Sequence, residues 1–264
     1  MSSKGTALIT GASTGIGAVY AEQLARRGHD LILVARNRER LNAQAERLTT
    51  LTGHSVEVLP ADLADAQDLA RIEARLREDA SIDLLVNNAG VGTHTPLLDS
   101  DVEQMSRMIA LNITALTRLT YAAVPGFVGR GRGAVINISS VVSLAPELLN
   151  GVYGASKAYV TAFSQSLHKE LAGSGVQVQA VLPGATATEF WASGGIPVEQ
   201  LPANIVMRAD DLVDAALVGY DRGELVTIPS LHAAEAWGAY EAARQTMSPQ
   251  LSSDVPAARY LNAA

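Results

Sequence analysis

Tyr153 and Lys157 stand at i and i+4 in Tyr153-Gly-Ala-Ser-Lys157, a spacing that puts both side chains on one face of a helix. A free tyrosine, with a pKa near ~10, is a poor acid or base at neutral pH. An ammonium beside it stabilises the phenolate and lowers that value, so the pair predicts a tyrosine tuned for proton transfer. Alone, a Tyr–Lys pair at this spacing is common by chance. The weight comes from its company: Ser139 and Ser140 close one strand-like run, Asn87-Asn88-Ala89-Gly90 closes another, and Asn112 lies in the helical pattern after it. The carboxyl ends of strands are where open α/β sheets bind ligands.

A second constellation is Thr10-Gly11-Ala12-Ser13-Thr14-Gly15-Ile16-Gly17, which follows a strand pattern and opens a helix pattern. Glycines there permit a tight turn and close approach of a pyrophosphate, and the helix start offers unpaired N–H groups and a positive dipole end. The same residues read as a G-x-S-x-G nucleophile elbow. Only one strand precedes Ser13, however, and no Asp and His follow in triad order at matching strand ends, so the hydrolase reading is set aside. In dinucleotide folds an acidic residue about 20 positions on holds the ribose 2′-hydroxyl. Here the second strand ends Val34-Ala35-Arg36-Asn37-Arg38. A guanidinium suits a 2′-phosphate, which favours NADP(H). The competing reading, a solvated cationic helix start, opposes the helix dipole. Asp62 and Leu63 follow the third strand, where they could reach an adenine; Asp62 could equally cap the next helix.

The elements that must position these groups alternate. Thr6–Thr10, Leu31–Ala35, Ser55–Leu59, Asp83–Val86, Gly133–Ser139 and Val176–Leu182 read as strands, with Glu224–Ile228 a weaker seventh. They are nearly continuous apolar runs, as strands covered on both faces are. Helical patterns lie between, over Ile16–Arg27, Arg38–Leu51, Asp65–Arg77, Asp101–Val124 and Tyr153–Ala172. This order predicts an α/β fold, a single-domain doubly wound parallel sheet with helices on both faces. One domain is expected over residues 1–264, with a candidate lid at Thr186–Arg208, where two aromatics mix with Gly and Pro. A C-terminal extension at 229–264 holds one helix-like stretch, Ala233–Met247.

Composition excludes several classes. The 264 residues are 48% apolar and carry a formal net charge of −7, without the basic stripe of a nucleic-acid binder. There is no cysteine, hence no thiolate chemistry or disulfide framework. The five histidines show no metal-ligand spacing. No apolar run approaches the ~18 residues of a membrane span, and Gly and Ser break the apolar run near the N-terminus. A cytoplasmic protein with no metal, no membrane and no nucleic-acid partner is expected.

Taken together, Thr10–Gly17, Asn87–Gly90, Asn112, Ser140, Tyr153, Lys157 and Pro183-Gly184 resemble the short-chain dehydrogenase/reductase family over about residues 4–190. The stretch Leu31–Leu41 is similar to NADP-preferring members, though Thr14 stands where many of those carry a basic residue; that puts more of the 2′-phosphate on Arg36 and Arg38. The resemblance implies a sheet of about seven parallel strands and a homodimer or homotetramer. It implies hydride transfer between NADP(H) and a small carbonyl or alcohol substrate. Tyr153 would be the acid/base, Ser140 would orient the substrate oxygen, and Lys157 would bind the nicotinamide ribose and lower the Tyr153 pKa. Asn112 would hold a water in a proton relay. The cofactor would meet Gly11, Ser13, Thr14, Gly15, Ile16 and Gly17 at the turn, and Arg36, Arg38, Asp62 and Leu63 on the adenosine side. Asn88, Ala89, Gly90, Tyr153, Lys157, Pro183, Gly184, Thr186 and Thr188 would meet the rest. A non-catalytic NADP(H) sensor on the same fold is the alternative, and epimerisation or dehydration by the same residues another. Phe190, Trp191, Leu144, Leu148, Leu149 and His94 are candidates for a mainly apolar substrate pocket.

Overall fold

Strands with apolar residues on both faces must be covered on both, and the computed structural model, which describes residues 4–194 and 197–261, covers them with helices. The elements in chain order are β1 Thr6–Thr10, α1 Gly15–Arg26, β2 Asp30–Ala35, α2 Arg38–Thr52, β3 Val56–Pro60, α3 Ala66–Glu78 and β4 Ile82–Asn87. Then come α4 Val102–Ile109, a π-helical turn Ala110–Ala115, α5 Leu116–Arg130, β5 Gly133–Ile138, α6 Gly151–Glu170 and β6 Val176–Val181. Two-residue strands β7 (Thr186–Ala187) and β8 (Met207–Arg208) pair with each other, α7 (Phe190–Ser193) lies between them, and α8 (Ala209–Asp221) leads to β9 (Val226–Thr227).

Seven strands form one parallel sheet in the order β3-β2-β1-β4-β5-β6-β9. One core face packs α1, α2 and α8 on the sheet through Tyr20, Leu24, Leu41, Leu48, Leu212 and Leu217. The other packs α3 and α5 through Leu69, Ile72, Leu119 and Phe127. The expected fold class is the observed one. The strand order reverses between β1 and β4, the switch point at which such sheets bind dinucleotides.

Two expectations need correction. The helix expected over Asp101–Val124 is broken by the π turn around Asn112 and then runs past Pro125. Proline removes one intrahelical bond, that to the carbonyl of Tyr121, a residue 70% exposed on the outer side of the helix. Asp65, not Asp62, caps α3, by accepting from the N–H groups of Gln67 and Asp68; Asp62 takes the N–H of Ala64 instead. By their internal contacts the residues form two compact units, Met1–Ser230, which holds the whole sheet, and Leu231–Ala264. The second unit contains α9 (Ala234–Met247), close to the predicted helix, with Trp237 stacked on Tyr240 at 5.4 Å. The expected lid is bounded by the β7–β8 ladder, Thr186 opposite Met207 and Ala187 opposite Arg208; its residues 195 and 196 lie outside the described residues. Among the described residues no helix is long and apolar enough to cross a membrane, and no cluster of acidic and histidine side chains could hold a metal.

Candidate active site

The turn after β1 is built for a close backbone approach. Gly11 has φ +64°, a left-handed value that favours glycine. A Cβ on Gly17 would lie 2.4 Å from both the Gly11 carbonyl oxygen and Asn88 Nδ2, so only glycine fits. Thr14 begins α1 without a side-chain cap, and no acidic residue sits in the first turn. The leading N–H groups of α1 are thus left for a ligand, as an anion site requires. Asn88 is spent on the protein itself: its Nδ2 donates to the carbonyls of Thr10 at 2.9 Å and Gly11 at 3.2 Å. Its backbone N–H and that of Ala89 both donate to the Thr10 hydroxyl at 3.0 Å. This network fastens the end of β4 to the glycine turn. Ser13, Gly15 and Ile16 complete the turn, and Thr188 packs its methyl on Gly15.

At the end of β2, Asn37 caps α2 by accepting from the Arg40 N–H at 2.9 Å. Three arginines surround this cap. Arg40 is committed to Glu189 at 2.7 Å, an ion pair joining α2 to the segment after β7. Arg36 and Arg38 are exposed and have no protein partner among the described residues. They flank the place where an acidic residue would exclude a 2′-phosphate. The Leu63 side chain is mostly buried in the core, where it borders a small pocket with Thr10, Asn87 and Ala89 at the ends of β1 and β4.

The catalytic candidates converge. Tyr153 and Lys157 lie on one face of α6, each only 6% exposed, with Lys157 Nζ 5.8 Å from the Tyr153 ring centroid. Lys157 Nζ donates to the Ile138 carbonyl at 2.9 Å. Ser140, two residues past the end of β5, lies close enough to the Tyr153 phenol to lower its pKa; its hydroxyl donates to the Pro183 carbonyl at 3.3 Å. Burial pushes the Tyr153 phenol up to about 12, against a lowering influence from Ser140, and pushes Lys157 down to about 8. Without a bound cofactor, loss of water around the phenolate is the largest influence and holds the Tyr153 pKa above its ordinary value, not below it as the Tyr–Lys spacing predicts. Asn112 Oδ1 accepts from Val91 N–H at 3.0 Å, while its Nδ2 donates to the Val91 carbonyl at 2.9 Å and to Ser156 Oγ at 3.0 Å. Gly90 sits between Asn112 Oδ1 and Lys157 Nζ; a Cβ there would meet them at 3.2 and 3.4 Å. Beyond Pro183, Thr186 is buried and its hydroxyl donates to the Gly184 carbonyl at 3.1 Å.

Beside Tyr153 lies a narrow cleft of about 10 Å³ lined by Gly92, Thr93, His94, Leu149, Phe190, Trp191 and Gly194. Phe190 packs on the Tyr153 ring with centroids 5.7 Å apart, and Trp191 meets Phe190 edge-on at 5.9 Å. The Trp191 indole donates to the Thr186 carbonyl at 3.0 Å, and His94 Nδ1 bonds the Gly194 carbonyl oxygen at 2.7 Å. Four of the six residues proposed for the pocket thus line it; Leu144 and Leu148 do not. Gly92, Ser156 and Asn150 escaped the sequence reading. Asn150 could have been found: it is a favoured N-cap residue just before the helix that carries Tyr153, which begins at Gly151.

Residues 5–195 match the family described as short chain dehydrogenase. The fold is similar to that of a short-chain dehydrogenase from Sphingobium yanoikuyae solved in complex with NADPH, with TM-score 0.94 and 54% identity over 97% of this chain and 100% of that one. It is similar also to a bulky-bulky ketone specific alcohol dehydrogenase from Comamonas testosteroni, with TM-score 0.91 and 47% identity over 98% and 100%. By sequence, the very-long-chain 3-oxoacyl-CoA reductase of Anas platyrhynchos is 38% identical over 189 residues, 70% of this chain. The match spans only 60% of that relative's length.

Proposed function

The chain belongs to the short chain dehydrogenase family, and we propose that it is an NADP(H)-dependent oxidoreductase that interconverts a bulky, largely apolar ketone and its alcohol, with Tyr153 as acid/base. One observation carries the reading: Ser140, Tyr153 and Lys157, from two different elements, are buried together, and Phe190 of the cleft wall packs on the Tyr153 ring. NADP(H) is supported by the glycine turn, by the exposed Arg36 and Arg38, and by the NADPH bound to the Sphingobium relative.

When bound, the dinucleotide supplies or takes the hydride at the substrate carbon. Gly11, Ser13, Thr14, Gly15, Ile16 and Gly17 hold its pyrophosphate side, and Arg36 and Arg38 its 2′-phosphate. Asp62, Ala89, Gly90, Pro183, Gly184 and Thr188 border the remaining groove. In reduction the Tyr153 hydroxyl gives its proton to the carbonyl oxygen as negative charge builds there. The Ser140 hydroxyl donates to the same oxygen, an electrostatic contribution of a few kcal/mol to the barrier (~3). Lys157 then returns a proton toward Tyr153. Asn112 Oδ1 has a second lone pair free for a water that would reach Lys157 past Gly90. The apolar walls set by Leu149, Phe190 and Trp191 favour a substrate with bulk near the carbonyl, in keeping with the name of the Comamonas relative.

The test is Tyr153→Phe. It should abolish NADPH oxidation with a bulky ketone while NADPH binding, followed by fluorescence titration, survives; a variant that still turns over at the wild-type rate refutes the proposal. Residence in the cytoplasm and assembly as a homodimer or homotetramer belong to the same proposal; the exposed Val102, Tyr121 and Val128 of α4 and α5 support the second, and light scattering tests it.

A further inference from the structure

Asn150 stands three residues before Tyr153 and is 7% exposed, so its carboxamide must find its partners without water. It fills all four positions, two as acceptor and two as donor. Oδ1 accepts from the N–H of Val152 at 2.9 Å and of Tyr153 at 3.4 Å. Nδ2 donates to the Thr95 carbonyl at 2.6 Å and to the Ser100 hydroxyl at 3.3 Å. The first pair caps the helix that carries the phenol. The second pair holds a loop, residues 93–100, that is far away in sequence. The same loop is tied again by the Asn150 N–H to the Thr93 carbonyl at 3.4 Å and by the Ser100 hydroxyl to the Thr95 carbonyl at 3.1 Å. Thr93 and His94, at its start, wall the cleft across from Leu149 and Phe190.

A helix cap needs only the oxygen of this side chain; the amide donor does something else. We infer that Asn150 is a positioning residue that locks the Tyr153 helix to the 93–100 loop and thereby fixes the width of the substrate cleft, setting how much bulk can reach the Tyr153 hydroxyl. The inference rests on the carbonyl-reductase reading above.

Two variants separate the halves of the amide. Asn150→Asp keeps a capping oxygen and replaces the donor with a second acceptor facing the Thr95 carbonyl. Asn150→Ser keeps a capping oxygen and is too short to reach Thr95; it carries the test if the aspartate variant fails to fold. Both are measured with NADPH against a diaryl ketone and against acetone. The diaryl ketone should lose at least about tenfold in kcat/KM, mainly through KM, while acetone loses less than about threefold. Hydrogen exchange is read on the protein without substrate. Amides of residues 95–100 should exchange at least about tenfold faster in both variants while the start of α6 stays protected. Unchanged exchange in the loop overturns the inference, as does an equal loss of kcat for both ketones at constant KM, which marks a helix cap and nothing more. A wild-type protein that reduces neither ketone overturns the activity reading, and with it the role in selecting substrate; the exchange result then decides separately whether Asn150 locks the loop.

Discussion

Lys157 should make the folded protein less stable than it would be without it, and the deficit should disappear at alkaline pH. Its ammonium is buried with one hydrogen bond, to the Ile138 carbonyl, and its pKa falls from 10.5 to about 8. At about 1.4 kcal/mol for each tenfold loss of proton affinity, burial of the charge costs roughly 3 kcal/mol. The sign follows from where the protons are. Between pH 8 and 10.5 the unfolded chain binds a proton that the folded one does not, so stability rises with pH across that window and the cost is complete below it. Lys157→Met removes the charge and leaves the carbonyl of Ile138 without its donor, about 1–1.5 kcal/mol at any pH. The variant should therefore be about 1–2 kcal/mol more stable than wild type at pH 7, worth roughly 2–6 °C in Tm, and less stable by pH 10.5. Urea unfolding of both proteins without cofactor at the two pH values measures this, and the high pKa of Tyr153 cancels because both carry it. A stability difference constant to within about 0.5 kcal/mol from pH 7 to 10.5 refutes the reasoning. The gain at pH 7 should coincide with loss of turnover, the trade expected where a functional group is held in an unfavourable place.

Arg36→Ala should raise the KM for NADPH by about tenfold or more and leave the KM for NADH nearly unchanged, since a charge-assisted contact to a 2′-phosphate exists with one cofactor alone; equal effects refute that role. Ser140→Ala should lower kcat by about 10²–10³ if its hydroxyl stabilises charge on the substrate oxygen, with NADPH affinity retained; a loss below about threefold in steady-state rate refutes it. Because burial raises Tyr153 to about 12, the wild type and Tyr153→Phe without cofactor should show the same phenolate absorbance up to about pH 10, where an ordinary tyrosine is half ionised. An additional phenolate in the wild type at that pH refutes the raised value.

The alternation of apolar runs with helical patterns was enough for the sheet, because strands buried on both faces leave no polar positions and each must be reached by a crossover helix. The glycine turn, the Tyr153–Lys157 spacing and the arginines after β2 were equally legible, since each is a local device: a turn that only glycine allows, one turn of helix, one strand end. What sequence left undecided depends on partners far away in the chain. Local patterning ended a helix before Pro125, but packing of Phe127 in the core carried it through. Three arginines crowd the start of α2, and only the meeting with Glu189, 149 residues on, separates Arg40 from the two left for a phosphate. The spacing of Tyr153 and Lys157 implied a lowered phenol pKa, yet the value follows from how much water the fold removes, which no spacing records. The sequence by itself determined which groups are candidates for the chemistry and on which edge of the sheet they stand. Tertiary structure alone decided their protonation, the partners of Asn112 and Asn150, and the walls of the cleft, because burial and long-range hydrogen bonds exist only once distant segments have met.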